Sequence, residues 1–230
     1  TYIVAMSFLA FMGFIFTGIL ESYSKAPQEI SPANVFFQFF WFPVLFMVPL
    51  LTMKCLAEER RLGTIETLLT TPVTTTEVVL GKYAAAYLLY LTFWGATAGF
   101  FYILHKFVGD TRFIDLGPLV GGYIFIAVSG LFFVALGVFA SSLSRNQAVA
   151  GVICFVLLVA VIAGSNFLAD SAWLNRDIFA PIREAADYMR VIAHRDDFTR
   201  GVVDTRQLLY YLSGTVLALI FSILGVEAKL

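Results

Sequence analysis

The chain has 230 residues, of which 60% are hydrophobic and 13% charged, with a net charge of -1 and a mean hydropathy of +0.85. A soluble domain carries about 25% charged residues, so this composition is that of an integral membrane protein. The balanced charge and the lack of an Arg/Lys patch interleaved with aromatics exclude nucleic acid as a partner.

Thr1 leads at once into YIVAMSFLAFMGFIFTGIL, which is too long for a signal peptide and lacks a basic start. More chain is expected to precede it in the natural protein. Charge-free apolar stretches of about 20 residues, the length that crosses a bilayer core as a helix, predict six spans at approximately 2–20, 35–53, 83–104, 118–140, 147–169 and 207–226. Pro43 and Pro49 are expected to kink the second. Its aromatics, Phe36, Phe37, Phe39, Phe40, Trp41 and Phe42, are expected to face lipid near the interface. Gly95-x3-Gly99 and Gly117-x3-Gly121 have the spacing of close helix packing.

Between spans two and three lies EERRLGTIETLLTTPVTTTEVVLGKY, a charged, Thr- and Leu-rich insert. Thr64 is a candidate N-cap, Glu66 falls in a favoured first turn and Pro72 stops the helix. Thr74 and Glu77 then have the T-x-x-E spacing of a capping box that opens span three. The insert therefore predicts a short helix with Leu68 and Leu69 at its apolar tip. Such a helix can transmit a push to the flanking spans, or can be a solvated turn. Between spans five and six, PIREAADYMRVIAH predicts an amphipathic helix with Ile182, Ala185, Ala186, Met189, Ile192 and Ala193 on its apolar stripe, lying at the membrane surface or capping the bundle.

Several chemistries find no residues to carry them. There is no G-x4-G-K-[ST] phosphate loop, so any ATPase is a separate chain. No predicted span contains a charged residue, which disfavours an ion-coupled secondary transporter. His105 and His194 are the sole histidines and lack an H-E-x-x-H or G-x-S-x-G context, and Ser129 reads as a packing serine. An intramembrane enzyme is thus the weaker alternative. Cys55 and Cys154 have neither C-x-x-C spacing nor a nearby histidine, so no metal or disulfide is expected. The Lys and Arg residues divide between the two sides without a clear excess, and charge leaves the orientation open.

The insert from Glu58 to Tyr83, with its Glu-x4-Gly-Thr, Leu-Leu, Pro-Val and Gly-Lys elements, resembles the segment around the coupling helix of type-2 ABC transporter permeases. FTRGVVDTRQLLYYLSGTVLALIF, from Phe198 to Phe221, resembles the corresponding stretch of the gliding-motility-associated branch. With the six spans, the likeness covers nearly the whole chain. It implies an all-α membrane fold of six transmembrane helices, a cytoplasmic coupling helix between spans two and three, and an amphipathic external segment between spans five and six. Residues 1–230 would form a single permease domain, without the cytoplasmic interfacial helix that normally precedes span one in this family. The resemblance assigns ATPase coupling to Glu58, Glu59, Arg61, Gly63, Thr64, Glu66, Leu68, Leu69 and Pro72, and the external segment to Ile182, Met189 and Ile192. It implies a cytoplasmic ABC ATPase that carries ATP and Mg, a second permease protomer, and a place in the bacterial inner membrane. Transport and mechanical work on the membrane would look the same in sequence.

Overall fold

The computed structural model describes residues 2–25, 30–63, 74–108, 115–169, 184 and 186–228. Among them it is all helix, without a strand. Six helices are long and apolar enough to cross a membrane: Tyr2–Lys25, Trp41–Leu62, Thr75–Phe107, Leu116–Leu143, Gln147–Phe167 and Thr205–Glu227. These are spans one to six. Because consecutive spans run in opposite directions, one end of the bundle gathers the connector after span two, the start of span three, the turn between spans four and five, and the end of span six. The other end carries two short helices, Pro32–Gln38 and Val191–Thr199.

Span three starts eight residues earlier than its apolar run, because the capping box at Thr74 opens the helix: the Thr74 hydroxyl accepts from Glu77 N at 3.3 Å and Glu77 Oε2 accepts from Thr74 N at 2.8 Å. The longer helices place Glu21, Lys25, Glu77, Lys82 and Lys106 inside the end turns of spans one and three, so the expected freedom from charge holds for the span centres only. The expected second span is two pieces. Pro32–Gln38 ends, and Trp41–Thr52 begins after a turn at Phe39 and Phe40. Pro43 has no N–H for the Phe39 carbonyl, and Phe42 N takes that acceptor at 3.2 Å instead. The break at Phe39 and Phe40 therefore lies just ahead of Pro43, while Pro49 stays inside a continuous helix.

The aromatic expectation needs correction. Phe36, Phe37 and Phe40 are fully buried, while Phe39, Trp41 and Phe42 keep outward-facing surface. Positions 36, 37 and 40 share one helical face, and Phe36 packs edge-on against Phe16 and Phe101 with centroids 6.0 and 5.1 Å apart. Such contacts are favourable beyond the area they bury.

Span four is the central helix. Tyr83, Tyr87 and Tyr90 of span three lie on its flank and donate to the carbonyls of Leu131, Ala127 and Ile126 at 3.1, 2.8 and 3.3 Å. In a bilayer such interhelical hydrogen bonds act where apolar burial no longer distinguishes partners. Of the two glycine pairs, only Gly121 makes a close approach: a Cβ there would run into the Phe198 carbonyl, whereas Gly95 and Gly99 have open space. Ser129 is fully buried and hydrogen-bonds weakly within its own helix, to Ile126 O at 3.5 Å.

The amphipathic stripe expected between spans five and six does not hold as one helix. Arg190 is extended and caps a new helix, Val191–Thr199. The new register buries Val191, His194, Arg195 and Phe198, at i, i+3, i+4 and i+7. Met189 is left 45% exposed, and Ile192 and Ala193 are half-buried. Ile182 and Ala185 lie outside the described residues.

His194 fastens this helix to span six. Its Nε2 faces the Tyr188 carbonyl at 3.0 Å and must donate, so Nδ1 accepts from Tyr211 Oη at 3.1 Å. Gln207 Nε2 donates to Asp197 Oδ2 at 2.7 Å beside it. Burial holds the imidazole pKa below its ordinary value, partly countered by the Tyr188 carbonyl and the charges of Asp197 and Asp204. The folded state thus binds fewer protons at this site than the unfolded chain, and stability must fall as pH drops below about 6.5. Melting of the detergent-solubilised chain between about pH 7.5 and 5.5 is expected to show this loss, and H194Q to flatten it. An equal loss in both proteins would remove His194 as the cause.

Candidate functional site

Past Trp41–Thr52, the apolar part of span two, a turn at 53–56 leads into the short helix Ala57–Leu62, with which the insert begins. Its sequence, AEERRL, places Glu58 and Glu59 in the first turn and Arg60 and Arg61 in the last, complementing the helix dipole at both ends. Gly63 ends it at φ +69, the left-handed conformation that favours glycine.

What holds this helix comes from distant parts of the chain. The Ser141 hydroxyl of span four accepts from Leu56 N and Ala57 N, both at 3.0 Å, and donates to Met53 O at 3.3 Å. Ser141 thereby satisfies two N–H groups that a helix start leaves without intrahelical partners. Arg60 reaches the opposite way. Its Nη1 donates to Ser142 O and its Nη2 to Gly225 O, the latter at 2.8 Å. Both carbonyls belong to the last turns of spans four and six, so one guanidinium fork closes two negative helix ends. Glu59 pairs with Lys82, two turns into span three. A Cβ on Gly225 would meet Ser142 Oγ at 2.8 Å, so glycine lets span six come close to span four at this point.

Below the connector, Thr52 fills the space over Gly137, where a Cβ would run into its side chain. Thr52 Oγ1 donates to Val48 O at 2.8 Å. The helix Ala57–Leu62 is thus fixed by polar bonds to spans three, four and six and joins Trp41–Thr52 through a turn at 53–56. It cannot tilt without breaking bonds to the other three. Among the described residues no group of three or more His, Cys, Asp or Glu side chains could hold a metal ion.

Replacing Ser141 with Ala is expected to leave two buried N–H groups without an acceptor, at about 1–3 kcal/mol each. The check is the melting temperature of S141A in detergent; an unchanged value would show that the helix start has another partner.

The family model described as ABC-2 family transporter protein matches residues 3–224. The chain belongs to the ABC-2 transporter family. No curated protein matches it in sequence. Membership makes the chain a multi-pass membrane protein and a permease component of an ABC transporter, a non-catalytic part that associates with an ATPase subunit.

In this permease the residues expected to couple to the ATPase divide three ways. Glu59 and Gly63 are in the anchored helix, as brace and cap. The side chains of Glu58 and Arg61 hold no hydrogen bond or ion pair with a described residue, and Arg61 is exposed. Thr64, Glu66, Leu68, Leu69 and Pro72 lie outside the described residues. Met189 and Ile192 sit at the far end of the bundle from the connector.

Sequence reasoning passed over Arg60, Ser141, Ser142 and Lys82. Arg60 was hidden beside Arg61, since two adjacent arginines at a helix end look alike until the fold shows which one faces the bundle. The signal available in the sequence for the receiving end was SSLSRN at 141–146, a short polar turn on the same side as the insert.

Proposed function

We propose that this permease is the membrane-spanning subunit of an ATP-driven exporter of the gliding-motility-associated branch, working in the bacterial cytoplasmic membrane. Residues 1–230 act as one permease domain beside a second permease protomer. The connector 54–82 faces the cytoplasm, and its segment from Thr64 to Thr71 is the coupling helix that seats in a separate ATPase. That ATPase supplies the ATP and Mg sites.

The observation that carries the reading is the fixing of Ala57–Leu62 to spans three, four and six through Lys82, Ser141, Ser142 and Gly225. A force applied just beyond Gly63 would reach four spans together, counting span two itself. A solvated turn needs no such ties. The likeness of Phe198–Phe221 to the gliding-motility-associated branch supports the finer placement. ATP hydrolysis then drives either cargo or mechanical work across the membrane through one and the same lever.

Orientation is the first test. Val202, 57% exposed, lies at the end of the bundle opposite the connector, and Arg61 is exposed at the connector. In intact cells a membrane-impermeant thiol reagent is expected to label V202C and to reach R61C only after permeabilisation. The native chain is the control, since Cys154 is buried and Cys55 is half-buried at the connector end. The reverse labelling pattern would overturn the reading.

A further inference from the structure

At the end of the bundle opposite the connector, the helices Pro32–Gln38 and Val191–Thr199 border a half-open, partly polar cavity of about 240 Å3. Arg195 lines it, with a side chain only 7% exposed. A guanidinium carries five N–H donors, and the partner given to it by the fold is one carboxylate, its neighbour Asp196. Arg200, Asn34 and Gln38 line the same space. None of these three side chains has a hydrogen bond to another described residue. Asn34 and Gln38 are one helical turn apart and therefore share a face. Thr199 adds no donor, because its hydroxyl proton goes to Asp196 O at 3.1 Å.

Among the described lining residues two guanidiniums stand against one carboxylate, one positive charge in excess. The rest of the Arg195 donors are unclaimed by described residues and open to the cavity, since none of its nitrogens is fully buried without a partner, and they need an acceptor there. An oxyanion with several acceptor oxygens meets that need, through charge-assisted bonds of the kind arginine forms with phosphate. The volume falls below the roughly 300–1,000 Å3 of pockets that hold drug-sized molecules. It suits a headgroup-sized fragment.

We propose that this cavity is a binding site for a phosphate group, held by Arg195 and closed over by Arg200, Asn34 and Gln38. The group is either the phosphodiester of an anionic lipid at this face of the membrane or free phosphate from the water. In either case it joins the helix before span two to the helix before span six, independently of the ATPase at the other end. Asp196 faces the same cavity and limits the net charge the site can neutralise, which favours a singly charged phosphodiester over a doubly charged monoester.

The test uses the full chain, delipidated in detergent, with three probes: phosphatidylglycerol, uncharged diacylglycerol and inorganic phosphate. Native mass spectrometry counts the lipid adducts, and melting temperature follows the phosphate titration. Phosphatidylglycerol is expected to bind about tenfold or more tightly than diacylglycerol. R195Q, R200Q and N34D are each expected to reduce that preference by roughly tenfold. Competition by inorganic phosphate shows that the phosphate itself is recognised; stabilisation by inorganic phosphate with no lipid preference assigns the site to free phosphate. Should R195Q fail to fold, R200Q and N34D, whose side chains are exposed or half-buried, decide the matter. Equal adducts of charged and uncharged lipid with no effect of phosphate, or full binding of either probe to R200Q and N34D, would overturn the proposal.

Discussion

Replacement of both Leu68 and Leu69 with Asp is expected to abolish co-purification of the ATPase with the permease. If the segment from Thr64 to Thr71 seats in a cleft of the ATPase, its two leucines supply apolar contact, and burying one leucine contributes roughly 1.5–3 kcal/mol. Losing two weakens association by at least about a hundredfold, since each 1.4 kcal/mol is a factor of ten. The carboxylates add to the loss, because a charge cannot enter an apolar cleft unpaired. Neither residue falls in a span predicted from the sequence, so expression and insertion should match the native chain. E58Q and R61Q, at side chains that no described residue holds, should leave the ATPase bound. Full retention of the ATPase by the double Asp variant would reduce the insert to a simple turn.

The second large effect is expected at Arg60 and is of a different kind. R60Q keeps the apolar tip intact, so the ATPase should remain associated. What is lost is the fork that joins Ser142 O and Gly225 O. Hydrogen bonds from a charged donor contribute about 1.5–3 kcal/mol each; with the side chain only half-buried, about 2 kcal/mol for the pair is expected. R60K should fall between, because an ammonium cannot reproduce the planar fork. The connector would then be free to move without carrying spans four and six. Stability should fall modestly in R60Q, while nucleotide-driven movement of the permease should fall severely. A variant that loses stability and keeps full movement would make Arg60 a structural clamp only.

The contrast between these two variants follows from what was legible in the sequence and what was not. Apolar length alone located the six spans, because the bilayer fixes how many residues a helix needs to cross it. The capping box at Thr74 and Glu77 was equally plain, since it depends on two residues three apart. Span boundaries were less legible, because a helix runs past its apolar stretch for as long as its polar turns are capped or paired, as Lys82 is by Glu59. The break before Pro43 was displaced from the proline itself, since the clash falls on the residue four positions earlier. Phe36, Phe37 and Phe40 were misassigned to lipid by their chemistry, although their spacing already marked one buried face.

The anchoring of the connector could not be read at all. Ser141 lies 85 residues from Leu56 and Gly225 lies 165 from Arg60, and a single sequence holds no sign of contacts over such separations. The outer helix shows the same limit. Its register depended on the extended backbone at Arg190, which shifted the buried face from the expected stripe to His194, Arg195 and Phe198.

The central claim is that Arg60 and Ser141 make the connector and spans four and six move as one, with span three held through Glu59 and Lys82, when the ATPase binds nucleotide. The most direct measurement is the rate of thiol labelling at V202C, on the far side of the membrane, in the complex with the ATPase, compared between the nucleotide-free state and the state trapped with ATP and vanadate. The native background is predicted to show a clear nucleotide-dependent change in rate, and the R60Q background to lose most of that change while the ATPase stays bound. An undiminished change in R60Q would contradict the claim.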